Sequence, residues 1–159
     1  MTCTVGIDPG LKGAIGFLRN GEYVHVESMP TVLKSKTTGK LEVDPRRLRG
    51  ILRDNVPPNA NPIVFLERVH AMPGQGVTSM FSLGDSFGCA RAVVASTPWE
   101  LVCESPQMWK KHFGLGSDKE ECRQYAMALF PDAPIQLKKW VDRAEALLMA
   151  RYVWETKCQ

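Results

Sequence analysis

The chain has 159 residues, of which 44% are hydrophobic and 23% charged, and its formal net charge is +3. This length and balance predict one globular domain with a full hydrophobic core, and no apolar run approaches the roughly 20 residues that a membrane helix needs. The five cysteines form no CxxC or Cys/His cluster, which argues against a disulfide scaffold or a structural zinc site and favours a reducing compartment.

The N-terminal part of the chain predicts three antiparallel strands. Their patterns cover residues 2–8, 14–19 and 23–28. Asn20-Gly21 is a strong hairpin turn between the second and third strands. Because the N-terminus already has a strand pattern, we expect no signal peptide. The first strand ends at Asp8, before a Pro9-Gly10 turn. A carboxylate at the end of a core strand needs a cation or a donor nearby, although Asp before Pro-Gly is also ordinary turn chemistry.

The next segment predicts a loop, a helix and a buried strand. Residues 30–42 are polar and basic without an apolar period, so we expect a mobile loop whose tip, residues 34–40, orders on DNA. Asp44-Pro45 is typical of a helix start. Residues 63–67, IVFLE, predict a central strand buried on both faces, and Glu67 repeats the position of Asp8 at a strand end.

The remaining chain alternates helix and strand. Predicted helices and strands cover residues 78–96 (helix), 101–104 (strand), a short helix from 105, 117–130 (helix) and 142–156 (helix). In the 117–130 helix, Ser117 and Glu120 form a capping-box pattern. Gly84 and Gly88 weaken the long helix by about 1 kcal/mol each, which favours close approach of another backbone there. Together these patterns predict an α/β fold with a mixed sheet.

Four acids form the candidate chemical site. Asp142 and Glu145 lie three apart on the last helix, which puts their Cβ atoms about 5–6 Å apart on one face. For Asp142 a solvated first turn is a reasonable alternative, because the helix dipole favours acids there. Asp8 and Glu67, at the ends of core strands, could join this pair. Oxygen-only ligands select Mg²⁺, with Mn²⁺ as a substitute, and two such ions about 3.5–4 Å apart suit phosphodiester hydrolysis.

Four segments in order along nearly the whole chain resemble the RuvC-type Holliday-junction resolvases, nearest the phage and chloroplast branches. They are GIDPG at 6–10, LERVHAMPGQG at 66–76, LGDSFG at 83–88 and DRAEALLMARY at 142–152. The resemblance implies a single RNase H-like domain over residues 1–159 with a mixed five-stranded sheet flanked by helices. It also implies a homodimer and Mg²⁺-dependent resolution of four-way junction DNA by paired symmetric nicks. A cytoplasmic location in a bacterial or phage-infected cell is expected, with no membrane partner and no nucleotide cofactor.

The resemblance also implies roles for individual residues. Asp8, Glu67, Asp142 and Glu145 match the catalytic metal-binding acids, with Glu145 where the bacterial enzymes carry Asp. One residue of the Lys110-Lys111 doublet is expected near the scissile phosphate. The residues that we expect to contact DNA are His70, Gln75, Lys34, Lys36, Lys40, Arg46, Arg47, Lys138 and Lys139. The residues that we expect at the dimer interface are Met80, Gly84, Phe87 and Gly88.

Several alternatives stay open at this point. Each basic cluster is also explained as an ordinary solvated face, and His70 as an ordinary loop histidine. A nucleotide-binding module of the actin and sugar-kinase type shares the Asp-Gly turn, but it needs two lobes, and 159 residues supply one. A non-catalytic DNA-binding relative, or an RNase H-like nuclease acting on other branched DNA, flaps or RNA–DNA hybrids, is also considered, because a metal site alone does not select the substrate.

Overall fold

The computed structural model describes residues 1–159 as a mixed five-stranded sheet with helices on both faces. The strands are β1 (Cys3–Asp8), β2 (Ala14–Arg19), β3 (Glu22–Ser28), β4 (Thr31–Leu33), β5 (Leu41–Val43), β6 (Ile63–Glu67) and β7 (Glu100–Glu104). The helices are α1 (Pro45–Asn55), α2 (Val77–Ala95), α3 (Pro106–His112), α4 (Lys119–Leu129) and α5 (Val141–Lys157), with a short 3-10 helix at Lys138–Trp140. None of the helices combines the length and apolarity that crossing a bilayer requires.

The main sheet has the strand order β3-β2-β1-β6-β7. The first three strands form the predicted antiparallel meander, and β1, β6 and β7 run parallel to one another. The predicted α/β class and mixed five-stranded sheet are therefore confirmed. Parallel strands bring their carboxyl ends to the same edge of the sheet, so Asp8, Glu67 and Glu104 end their strands at one edge.

Two hydrophobic layers hold the sheet between the helices. One layer packs α5 and α4 against one face, and the other packs α1 and α2 against the opposite face. The closest approach is between α5 and β1 at Gly6, where an added Cβ would lie 2.6 Å from the backbone nitrogen of Ala150 and also meet the carbonyl oxygen of Ala146. Only glycine leaves room for this contact. The contact brings the first turn of α5 beside the carboxyl end of β1.

Residues 30–42 differ from the predicted loop. Thr31–Leu33 and Leu41–Val43 pair as an antiparallel hairpin, with Thr31 opposite Val43. The β-branched and apolar residues at the two ends of the segment favour pairing, which the basic residues between them concealed at the sequence level. Only the hairpin tip, residues 34–40, lacks strand structure, and the Lys34 ammonium lies 5.5 Å from the centre of the Phe81 ring on α2.

The start of α4 also differs from the predicted start. The helix begins at Lys119, two residues after the predicted start, and its cap is Asp118 rather than Ser117. The Asp118 carboxylate accepts a hydrogen bond of 2.9 Å from the backbone N–H of Glu120. A carboxylate is as good a cap as a hydroxyl and is also favoured by the helix dipole. The other predicted elements are present with bounds that differ by at most one residue.

Candidate metal centre

The strand register places two of the four acids side by side. Ile7 of β1 is paired with Leu66 of β6, so the next residue on each parallel strand, Asp8 and Glu67, ends its strand at the same level. The other two acids, Asp142 and Glu145, come from the first two turns of α5. Because Gly6 allows α5 to lie directly on β1, these turns reach the sheet edge where Asp8 lies.

Three of the acids form a compact cluster. Asp8, Asp142 and Glu145 each offer a carboxylate oxygen, and these oxygens lie within 4.8 Å of one another. Glu145 is only 4% exposed, and its Oε1 atom is buried without a hydrogen-bond partner. Burial and, to a smaller extent, the neighbouring Glu67 and Asp142 carboxylates together raise the pKa of Asp8 from 3.8 to about 7. The cluster therefore has more negative charge than its protein surroundings neutralise.

Glu67 lies beside this cluster and is held by a tryptophan. Its Oε2 atom accepts a hydrogen bond of 2.9 Å from the indole N–H of Trp109, which is fully buried on α3. Burial raises the pKa of Glu67, and the Trp109 hydrogen bond opposes that rise because it stabilises the charged form. The sequence predicts that Trp109 lies on a short helix but indicates no functional role for it. Nothing in its spacing links it to a residue 42 positions earlier.

Two lysines supply the positive charge at the site. The Lys119 ammonium donates to Asp142 Oδ1 at 2.9 Å and lies 3.7 Å from Glu145 Oε2. The Lys110 ammonium lies 3.5 Å from Glu145 Oε1. Burial lowers the pKa of Lys119, but the hydrogen bond to Asp142 and the charge of Glu145 raise it above its ordinary value on balance. Lys119 was not predicted, because its sequence position at the start of α4 indicates only a helix terminus.

The two lysines of the Lys110-Lys111 doublet lie in different environments. Lys110 is half-buried beside Glu145, whereas Lys111 is exposed and forms none of the ion pairs at the acids. Both side chains line a cavity of about 540 Å³ between α3 and the start of α4. Lys110 is therefore the lysine of the doublet that lies at the acids, and its contact with the scissile phosphate stays a prediction.

The residues expected to contact DNA lie on several elements, and their contact with DNA stays a prediction. Lys40 and Gln75 line one cavity beside the β1–β2 turn. Lys139 lines another with Asp142, and its ammonium lies 4.6 Å from the centre of the Trp140 ring. The other expected residues are exposed on the hairpin, on the first turn of α1, on the β6–α2 loop and on the 3-10 helix, namely Lys34, Lys36, Arg46, Arg47, His70 and Lys138.

The residues expected at a dimer interface lie on α2. Met80, Gly84 and Phe87 line a small cavity of about 100 Å³ together with His70. A Cβ added at Gly84 or Gly88 would meet no atom of the chain within 4 Å. No other backbone of the chain therefore approaches these glycines, and the close approach by a second copy stays a prediction.

No family model and no curated protein sequence matches the chain. Its structure, in contrast, is similar to solved structures of RuvC. A Thermus thermophilus RuvC in complex with a Holliday-junction substrate superposes with a TM-score of 0.67 at 14% sequence identity, covering 99% of this chain and 97% of that one. A second T. thermophilus RuvC structure gives a TM-score of 0.62 at 16% identity, with 98% and 97% covered. The fold is that of RuvC.

The likeness to RuvC extends over both chains almost from end to end, so it includes every element that positions the acids. The resemblance inferred from four short segments is confirmed at the level of the fold. At 14–16% identity the superposition establishes the RuvC fold alone, and the chemistry of this chain is argued from its own carboxylates.

Proposed function

We propose that the chain is a structure-specific DNA endonuclease that resolves four-way junctions by paired symmetric nicks, through phosphodiester hydrolysis with two divalent cations. The observation that supports this proposal is the cluster of Asp8, Asp142 and Glu145, with oxygens within 4.8 Å, at the strand ends of a RuvC fold. The RuvC of similar fold was solved with a Holliday junction bound. No other group of three or more acidic, histidine or cysteine side chains in the structure is arranged to bind a metal.

The donor set fits Mg²⁺ or Mn²⁺. All the ligands are carboxylate oxygens, which hard divalent cations prefer. The buried Glu145 Oε1 accepts no hydrogen bond and has only the Lys110 ammonium, at 3.5 Å, as an ion-pair partner. Asp8, Asp142 and Glu145, together with the neighbouring Glu67, would hold the ions. When bound, these ions would activate the attacking water and stabilise the leaving 3′ oxygen.

The chain's own residues orient the acids and bind the substrate. Trp109 fixes Glu67 through its indole N–H, so this carboxylate is aimed before substrate arrives. Lys110 and Lys119 are cations at the edge of the acids, where they would bind the scissile phosphate and stabilise the charge that develops on it. The buried Trp109 indole and the buried apolar side chains of α5 exclude bulk water from the side of the site that faces the hydrophobic core.

The proposed assembly is a homodimer in contact through α2. A four-way junction has two-fold symmetry, so two sites related by a two-fold axis can cut opposite strands. Phe81 and Val77 on α2 are 70% and 79% exposed, which is high for large apolar side chains, and the open glycines of α2 leave room for a second helix. Replacement of Gly84 by Trp is expected to give a monomer in light scattering with an unchanged circular dichroism spectrum. A dimer of unchanged affinity would contradict this interface.

The nuclease proposal is tested with a panel of labelled substrates. The wild-type protein and the Asp8→Asn variant are incubated with Mg²⁺ and a four-way junction, a linear duplex, a flap or an RNA–DNA hybrid. We expect preferential junction cleavage that the substitution abolishes, while junction binding persists because a negative charge near phosphate has been removed. The matched control is Asp132→Asn, which changes an exposed carboxylate outside the cluster.

The outcomes separate the possible functions. Cleavage by Asp8→Asn at the wild-type rate would exclude Asp8 from the mechanism. Equal cutting of linear duplex would exclude junction selectivity, and preference for the flap or the hybrid would assign a different substrate to the same metal centre. Binding of the junction without cleavage by the wild-type protein, in Mg²⁺ and in Mn²⁺, would support a non-catalytic relative.

A further inference from the structure

A groove of about 520 Å³, lined by polar residues and by three leucines, lies beside the β1–β2 turn that follows Asp8. Three elements form it: the β1–β2 turn with Lys12, the β4–β5 hairpin with Lys40, and the N-terminal half of α2 with Ser79 and Ser82. We call it the serine groove. None of its lining residues is acidic.

The composition of α2 changes along the face that lines the groove. In the C-terminal half, Ala90 and Val94 on this face are fully buried against the sheet and α1. Toward the N-terminus the same face, at spacings of three and four residues, carries Ser86, Ser82 and Ser79. Ser86 is buried and donates to the carbonyl of Ser82, whereas Ser82 is half-buried and Ser79 exposed. Hydroxyls in a helix interior are weaker helix formers than alanine, so fold stability does not explain them.

The positive charge of the groove favours an anionic ligand. Lys12 and Lys40 are exposed on two different elements, and neither forms a salt bridge in the structure. With the hydroxyls of Ser79 and Ser82 they present two cations and two donors to the same space. Ammonium and hydroxyl donors are the usual partners of backbone phosphates.

The groove is continuous with the acid cluster. Its wall includes Gly10, whose backbone N–H donates to Asp8 Oδ1 at 3.3 Å. Ser79 and Ser86 are about 10 Å apart along the helix axis. A DNA strand carries one phosphate per about 3.4 Å of axis, so the groove has the length of two or three phosphates.

We propose that the serine groove binds the backbone of the DNA strand that is cut, and holds the two or three phosphates next to the scissile one. This inference rests on the proposed nuclease function and adds the path of the strand. Met80, Gly84 and Phe87 do not line the groove; they line the adjacent cavity, which shares Gln75 and Leu83 with it.

The test measures the salt dependence of junction binding in the uncleaving Asp8→Asn background. Each neutralised phosphate contact contributes about 0.9 to the slope of log K against log salt. We expect Lys12→Gln and Lys40→Gln each to reduce the slope by about 0.9, and the double variant Ser79→Ala/Ser82→Ala to weaken binding about three- to tenfold with little change in slope. The control Lys157→Gln removes an exposed lysine at the far end of α5 and should leave the slope unchanged.

A second measurement locates the contacts on the strand. Single neutral methylphosphonates replace the first, second or third phosphate on either side of the cut. At the phosphate that Lys12 binds, the methylphosphonate and Lys12→Gln together should reduce junction affinity no more than either change alone. Unchanged slopes in both lysine variants, or fully additive losses at every position, would overturn the groove assignment even if the wild-type protein cuts junctions. A wild-type protein that neither binds nor cuts junctions would instead overturn the nuclease proposal.

Discussion

Without metal, the protonation of Asp8 should make the stability of the protein fall as the pH rises. The pKa of Asp8 is about 7 in the folded chain, against 3.8 ordinarily, because of burial and the adjacent Glu67 and Asp142 carboxylates. Between these values the folded state holds a proton that the unfolded state has released. The free energy of unfolding therefore decreases by about 1.4 kcal/mol per pH unit, to an upper limit of about 4 kcal/mol.

Urea unfolding in EDTA from pH 4 to pH 8.5 measures this effect. The Asp8→Asn variant cannot ionise, and its Oδ1 atom can still accept the Gly10 N–H. It should match the wild type near pH 4 and exceed it by up to about 4 kcal/mol at pH 8. Saturating Mg²⁺ should stabilise the wild type at pH 8 and not the variant. A stability difference that stays constant across the pH range, as expected for the control Asp132→Asn, would refute the reasoning.

Three further predictions concern packing and the neighbours of the acids. Gly6→Ala should destabilise the protein by more than about 3 kcal/mol in urea unfolding, because the new Cβ meets α5 backbone, whereas Gly116→Ala, in open space, should cost less than about 1 kcal/mol. Trp109→Phe should raise the Mg²⁺ concentration needed for half-maximal cleavage about 10- to 100-fold by freeing Glu67, and excess Mg²⁺ should restore the rate. Lys119→Met should destabilise the metal-free protein by about 1 kcal/mol at pH 8, and saturating Mg²⁺ should remove most of that loss in a thermal melt.

The fold was predictable from the sequence where periodicity and turn chemistry agree. Asn20-Gly21 and the apolar run at Ile63–Glu67 determine the meander and the central parallel strand, and both are present as expected. The β4–β5 hairpin was missed because a strand of three residues is too short to show alternation. Its stability comes from Val43, which packs in the layer beneath α1 and α2.

The acids were predictable for a different reason. Asp8 and Glu67 end core strands, and Asp142 and Glu145 share a helix face, so the sequence pattern identifies all four as candidates, although each position has an ordinary alternative. The residues around the acids show no local sequence pattern that would identify them as part of the site. Trp109 and Lys119 reach the acids from elements distant in sequence, and only the packing of α3 and α4 brings them there.

The missed lysine explains how the acids can fold together before a metal is bound. Four carboxylates at one sheet edge would repel each other, and burial of Asp8 and Glu145 increases that cost. Lys119 and Lys110 offset part of it, and protonation of Asp8 offsets more at low pH. Of the two lysines, Lys119 is the more exposed, with 54% of its side chain accessible against 20% for Lys110, so it can leave the acids without unfolding the helix that carries it. A cation held by Asp142 and Glu145 would supply the positive charge that Lys119 supplies without metal, which is why Mg²⁺ should remove most of the stability loss in Lys119→Met.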